Sequence, residues 1–435
     1  MPPPTVRTAR RLGWAAVVLL AAALCGCEWL RHPSIDPMSF KEYQRHVVDI
    51  DTAEAIRDPV ERCMAYPNPP EFKWPSNLVR LGCEDMWRPV TPLATLQRMI
   101  DRQDWAGLDR HYAELVRRHH DGDDPEALLY RSFPLASWKD DAEEEAYTQK
   151  WLKGAPHSAY ASMTRGQVLL NRAWRAKERG DADGNRAAAM KVATPLAKEA
   201  VALLRAASAR DPRLMPAYRE CLSAAMLTGD TDAMEGILEA AEAQAPNDYY
   251  VRDKFMQALE PEWYGSFDDM AAFAERVRPR ARKNPRLLIL LARAEAWKGD
   301  RFLGRGWYGN ALDQYRKGLQ IAPEEGVLFT AANIAYREGH YAQAMMYWSQ
   351  VIRFSRSQGE DALKHRASAW NKLDESTRGF CDYRTVVERD PSDGAARDYV
   401  RSTEADFRRR GIDYAALCGP GNVQARRLRK MLGLH

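Results

Sequence analysis

The side chains that could do chemistry are few and scattered. His119 and His120 run into Asp121, Gly122, Asp123 and Asp124, residue types able to hold a metal or move a proton. Neighbouring side chains at a helix end point apart, so this run cannot close on an ion without ligands from elsewhere, and a solvated turn is expected. Asp181-Ala182-Asp183-Gly184-Asn185 starts like a calcium loop, but Val192 stands where such a loop needs a bidentate Glu. A helix linker is the expectation there. The chain has no Gly-x-Ser-x-Gly turn, no His-Glu-x-x-His pair and no phosphate-cradling glycine loop. Gly304-Arg305-Gly306-Trp307-Tyr308-Gly309 offers three glycines, yet it follows no strand and leads into helix, so a flexible insertion is expected. Charged residues make up 29% of the chain, so carboxylate pairs arise on helices by chance and carry no acid or base assignment. No catalytic residue, metal ligand or cofactor follows from these runs.

The elements that would position a site are legible over a longer range. The 435 residues, 45% of them hydrophobic, suffice for two or three domains or one long array. From about Thr91 onward apolar residues recur at three and four spacing between Gly or Pro breaks, the pattern of amphipathic helices. Residues 27–90 differ. Pro33, Pro37, Pro59, Pro67, Pro69, Pro70, Pro75 and Pro89 interrupt them, which predicts a tethered, loop-rich region with two short helices, one at Phe40–Ile56.

Spacing inside the helical part is regular. Ala200 precedes Pro212, Met234 precedes Pro246 and Ala311 precedes Pro323, each by 12 residues, and Ala344 follows Ala311 by 33. Gly229, Gly306 and Gly339 each stand five residues before the small or apolar position. This resembles the tetratricopeptide repeat, a helical hairpin in which Gly ends the first helix, Ala lets two helices approach and Pro stops the second. The resemblance implies an all-α, αα-hairpin superhelix over residues 91–400, with a basic helix or tail at 401–435. Arg356 in place of a Pro and the inserted Arg301–Arg305 depart from the pattern.

A second resemblance covers residues 90 to about 350. Trp151-Leu152-Lys153-Gly154-Ala155-Pro156-His157-Ser158, Arg165-Gly166, Ala173 to Gly180 and Pro261-Glu262-Trp263-Tyr264-Gly265 are similar to bacterial proteins of the domain-of-unknown-function 4034 family. It implies a helical-repeat fold and no particular activity.

The first 26 residues read as an export signal. Arg7, Arg10 and Arg11 precede the apolar stretch Leu12–Leu24, whose 13 residues are too few to span a bilayer. Leu24-Cys25-Gly26-Cys27 resembles the lipobox of bacterial lipoproteins, which implies acylation of Cys27 and tethering to a membrane. A plain secretory signal is the alternative. Glu28, in place of the Asp associated with inner-membrane retention, favours the outer membrane. The leader carries three of the 64 basic side chains and none of the 60 acids, leaving 61 against 60. That balance gives no reason to expect nucleic acid.

Export implies an oxidising compartment for the remaining cysteines. Cys63 with Cys83 and Cys381 with Cys418 are the expected disulfides, each stabilising by about 3 kcal/mol through loop closure. Cys221, in an Ala-rich helix, is expected as a small buried hydrophobe; all five in reduced form is the alternative. From Arg408 onward seven basic residues face only Asp413, a cluster that reads as a solvated helix end or a contact for anionic lipid or an acidic partner.

The expected function is binding or scaffolding. In such arrays the first helix of each hairpin lines a concave face that grips a peptide or partner helix. The inward positions by repeat register are Phe329, Asn333, Tyr336 and Arg337, with Arg219 and Ser223 one register earlier; the alternative is that they coat a solvated surface. The partner is expected to be an envelope protein or peptide. The alternatives are an immunity-like lipoprotein that inhibits a periplasm-delivered toxin and an envelope hydrolase whose residues assemble only in three dimensions.

Overall fold

The computed structural model describes residues 39–122, 126–133, 141–355, 358–412 and 418. The export signal, Cys27, Arg356 and most of the basic tail lie outside them. Among the described residues every regular element is helical, so the all-α expectation holds.

The helices start and stop for local reasons that repeat along the chain. First helices end in a left-handed glycine, with φ of 68° at Gly184, 75° at Gly229, 74° at Gly306 and 83° at Gly339. At each, the following amide reaches five residues back: Asn185 N–H to Gly180 O, Asp230 to Ala225, Trp307 to Phe302 and His340 to Ala335, at 2.7–3.0 Å. This is a Schellman cap, and glycine takes it because a Cβ disfavours positive φ. The same bond forms around two non-glycine residues, Gln103 at φ 57° and Asp374 at φ 59°, ends that glycine spacing alone does not reveal.

Second helices end in a different way. Ser158 N–H donates to Ala155 O, Leu214 to Asp211, Asp248 to Ala245, Leu287 to Asn284 and Asp393 to Asp390, at 3.0–3.2 Å. Each of these four-residue turns has proline at its second position: Pro156, Pro212, Pro246, Pro285 and Pro391. Proline presets the φ of that position and cannot extend the preceding helix. Two cap chemistries in alternation thus convert the sequence spacing into helical hairpins.

The chain folds into two compact units, where sequence spacing suggested one array. The larger holds residues 56–331 and 353–355; the smaller holds 39–55, 332–352, 358–412 and 418. In the larger unit the long pair Ala159–Ala182 and Arg186–Arg210 packs through small residues. Ala193, Ala197, Ala200, Leu204 and Ala207 are all fully buried at helical spacing, and a Cβ on Gly166 would lie 3.1 Å from Ala200 O. Tyr112 anchors the neighbouring core, its ring 4.7 Å from Phe133, 5.5 Å from Trp151 and 5.7 Å from Tyr160.

A close helix-to-helix approach occurs at Gly318 in the Tyr308–Ile321 helix. An added Cβ would meet Ala292 O at 2.6 Å and Ala296 Cβ at 2.8 Å, and neither can swing aside. Gly318→Ala should therefore cost about 1–3 kcal/mol through overpacking, read as a lower denaturant midpoint with an unchanged slope.

The proline-rich segment is more ordered than its composition suggests. It forms three helices, Phe40–Glu54, Pro59–Ala65 and Ser76–Trp87, where two were expected. Proline serves as a helix start here: Pro59 opens a helix whose first amides are capped by Asp58, and Pro75 precedes Ser76–Trp87. This segment is also packed rather than loose. Within the larger unit Trp74 Nε1 donates to Leu319 O at 2.6 Å and Trp87 Nε1 to Arg353 O at 2.8 Å. The Cys63–Cys83 disulfide closes the same region across 20 residues.

In the smaller unit the cohesion is partly ionic. Arg366, buried, makes a two-pronged contact with Asp382 at 2.8 and 2.6 Å, reaches Glu54 at 2.7 Å and touches Ser349 Oγ at 3.2 Å. Arg378 joins Asp51 at 2.5 Å and Glu375 at 2.8 Å. Cys381 and Cys418 are bonded across 37 residues. In the larger unit Cys221 is free and buried, and burial pushes its thiol up to about 12. The basic segment expected from residue 401 begins inside the Gly394–Arg409 helix, where Arg408 pairs with Glu404 and Arg409 and Arg410 both pair with Asp406.

Candidate functional site

The polar residues that come together lie on the first helices of consecutive hairpins in the larger unit. The Tyr249–Ala258 helix is the centre. Asp248 caps its start, accepting from Val251 N–H at 2.9 Å, and is itself held from below. Tyr130 O–H contacts both carboxylate oxygens at 2.8 Å, and His119 Nε2 is 3.4 Å away. Glu126 accepts from the Tyr249 amide and, at 2.8 Å, from Asn284 Nδ2. Burial first, and the Asp248 charge second, hold the Glu126 carboxyl well above the usual carboxylate range. Arg252, 1% exposed, donates to Asp248 O, Pro246 O and Glu242 at 2.6–2.8 Å. Arg286 lies over the rings of Tyr249 and Tyr250, with centroids 4.8 and 5.1 Å away, and pairs with Asp85. This buried layer fixes the helix start, and each charge in it meets an opposite charge or a donor.

Beside that layer lies a second set, half-buried at Arg219, Asp253, Lys254, Glu260 and Arg293 and buried at Glu220 and Glu324. Arg293, on Leu288–Ala296, bridges Asp253 Oδ1 and Glu324 Oε1, both at 2.9 Å. Glu324 also caps the Glu325–Arg337 helix, accepting from Val327 N–H at 2.7 Å. Arg219 pairs with Glu220 at 2.6 Å. Lys254 donates to Gln257 Oε1 at 2.6 Å; burial, reinforced by the Arg219 charge, pulls its ammonium down to about 8. Glu260 has its carboxyl pushed up to about 7 by burial, with Glu262, Asp253 and Glu324 adding to the effect and Arg293 opposing it. Three cations, Arg219, Lys254 and Arg293, thus share one face with four acids, Glu220, Asp253, Glu260 and Glu324. Trp174 continues the face on the preceding first helix, its indole donating to Ser223 Oγ at 3.0 Å. Its ring meets Trp263 edge to face at 5.6 Å, with Lys177 over both rings.

The titration of Glu260 has a checkable sign. Its folded pKa lies above the carboxylate value of 4.5, so its contribution to stability is fully present below about pH 4.5 and is lost as pH rises through about 7. Glu260→Gln should leave the melting temperature nearly unchanged at pH 4.5 and raise it at pH 8. Equal shifts at both pH values would remove Glu260 from this account.

The six expected groove residues are divided by the structure. Arg219, Ser223 and Phe329 belong to the larger unit, and Asn333, Tyr336 and Arg337 to the smaller. Arg219 is half-buried and ion-paired; Ser223 is buried and engaged by Trp174. Tyr336 is half-buried, its ring 5.1 Å from Tyr341 and 5.5 Å from Trp348, whereas Arg337 is exposed. His119, expected on a solvated turn, is turned inward to Asp248, while His120 Nε2 lies 2.9 Å from Arg213 O. The residues that sequence reasoning missed, Asp253 and Gln257, were within reach. Pro246 follows Pro212 by 34 residues, and the same step carries Arg219 and Ser223 onto Asp253 and Gln257.

Residues 92–244 match the family described as Domain of unknown function (DUF4034). That segment is about a third of the chain. It contains the motifs from Trp151 to Gly180, His119, Tyr130, Arg219 and Ser223, and it ends before Asp248, Asp253, Arg293 and the Pro261–Gly265 run. Of the seven charges on the face, Arg219 and Glu220 fall within the matched segment and the other five lie beyond it. A comparison with the curated proteins finds no match.

Proposed function

We propose that the protein is a lipid-tethered, periplasm-facing binding module, held on the envelope through Cys27, that docks a partner protein on the first-helix face around Asp253, Lys254 and Arg293. The observation that carries the reading is the organisation of that face. Five of its seven charges are fixed in ion pairs at 2.6–2.9 Å, Lys254 is held by Gln257, and the set is rooted in a buried polar layer, so a partner meets pre-oriented donors and acceptors with little side-chain ordering left to do. The mixture of three cations and four acids suits a polar partner surface of mixed charge rather than nucleic acid or a uniformly acidic ligand. The flanking Trp174 and Trp263 add apolar contact of the kind that concentrates binding energy.

The tether and the docking are tested together by one preparation. The full chain, purified from detergent-solubilised membranes, should carry acyl mass on an N-terminal Cys27 and retain a stoichiometric envelope protein. An unmodified N-terminus cut elsewhere contradicts the tether; a chain that retains nothing after gentle cross-linking contradicts the docking.

A further inference from the structure

The three-glycine run at residues 304–309 forms a surface that the charged face does not use. Trp307 is 52% exposed, uncommon for so large an apolar side chain, yet it is held in place. Gly306 takes φ +74°, Trp307 N–H donates to Phe302 O at 3.0 Å, and the two rings are 6.0 Å apart, the capping bond and hydrophobic contact of a Schellman motif. Two exposed guanidiniums flank it. Arg305 lies 5.4 Å from the Trp307 ring and Arg301 4.7 Å from the Phe267 ring, which contacts Trp297 at 5.8 Å. Three acids on the same elements are engaged elsewhere, Asp300 by Tyr315, Asp269 by Ser266 and Glu295 by Lys298, while Asp268 stands exposed beside Phe267. The arginines thus rest on aromatic faces with their donor edges open.

We propose that this turn is a bilayer-contact surface for anionic phospholipid. An indole favours the boundary between headgroups and acyl chains, where its apolar body and polar N–H are both accommodated. Arginine matches phosphate with a planar pair of donors and is attracted by the negative surface potential of such a leaflet. The turn would set the orientation of its unit against the membrane and is separate from the partner-docking face. It needs a bilayer nearby but not acylation of Cys27, so the two readings can fail independently.

The test is hydrogen–deuterium exchange on the full chain in nanodiscs of phosphatidylcholine alone or with phosphatidylglycerol added. Amides of residues 300–309 should exchange several-fold more slowly in the anionic discs, and added salt should reverse the protection. Arg301→Gln with Arg305→Gln should abolish it, as should Trp307→Ala; these side chains are exposed, so the fold is retained. Equal exchange in both discs, or protection that survives the double Arg substitution, overturns the proposal. So would protection of the same amides by a soluble protein or glycan fraction without any bilayer.

Discussion

Arg366→Met is expected to cost the smaller unit about 3–5 kcal/mol. The substitution preserves most of the buried stem but removes both guanidinium donors from Asp382, whose side chain is 8% exposed, leaving it the Trp370 indole. Glu54, at 37% exposure, can rehydrate, so the cost comes chiefly from the one stranded carboxylate. The companion variant distinguishes this from lost packing. Arg366→Met combined with Asp382→Leu removes both charges and should recover much of the loss, because an apolar pair of similar volume carries no desolvation penalty. Denaturant unfolding of the full chain, followed by circular dichroism, reads both. A single-variant loss below about 1 kcal/mol would mean that water reaches Asp382 and the pair contributes no more than a surface salt bridge.

The second large effect falls on the charged face and separates folding from binding. Lys254 has its folded pKa depressed to about 8 from 10.5, so its contribution to stability is present above about pH 10.5 and is lost as pH falls through about 8. At pH 7 the protein carries a cation in a place that disfavours it. Lys254→Met should therefore raise stability at pH 7 and lose that advantage above about pH 10.5. The same substitution should weaken the docked partner by about 2 kcal/mol, close to 30-fold in Kd, since it removes a charge that a bound partner would fully desolvate. Stability rising while affinity falls is the signature of a residue retained for function. If both fall, Lys254 is a structural lysine and the docking face lies elsewhere.

Legibility followed the range of the determining physics. The hairpins were readable because their ends are local events: a left-handed glycine and a turn proline need only a few residues, and Gly229, Gly306, Gly339, Pro212 and Pro246 stand in register. The ends at Gln103 and Asp374 were hidden, since a non-glycine residue in that conformation is decided by surrounding packing. The division into two units was also hidden, because it depends on Arg366 and Arg378 finding Glu54, Asp51 and Asp382 across long sequence separations. Composition predicts a loop-rich segment with only two short helices because proline counts as a breaker, although Pro59 and Pro75 stand at helix starts where its missing N–H does no harm. For the candidate face, repeat register found Arg219 and Ser223, and the same 34-residue step leads to Asp253 and Gln257. No pattern within one repeat could show that Arg293 would bridge Asp253 and Glu324, or that burial would shift Lys254 and Glu260.

The most direct test of the docking face is site-specific photo-cross-linking of the full chain in its native membranes. A photoreactive residue replaces Gln257, beside Lys254 on the Tyr249–Ala258 helix, or, as a control, the exposed Lys317 on the Tyr308–Ile321 helix. The account predicts one discrete adduct from position 257 and none from 317. An adduct from 317 with none from 257, or no adduct from 257 under conditions where the partner co-purifies, would contradict it.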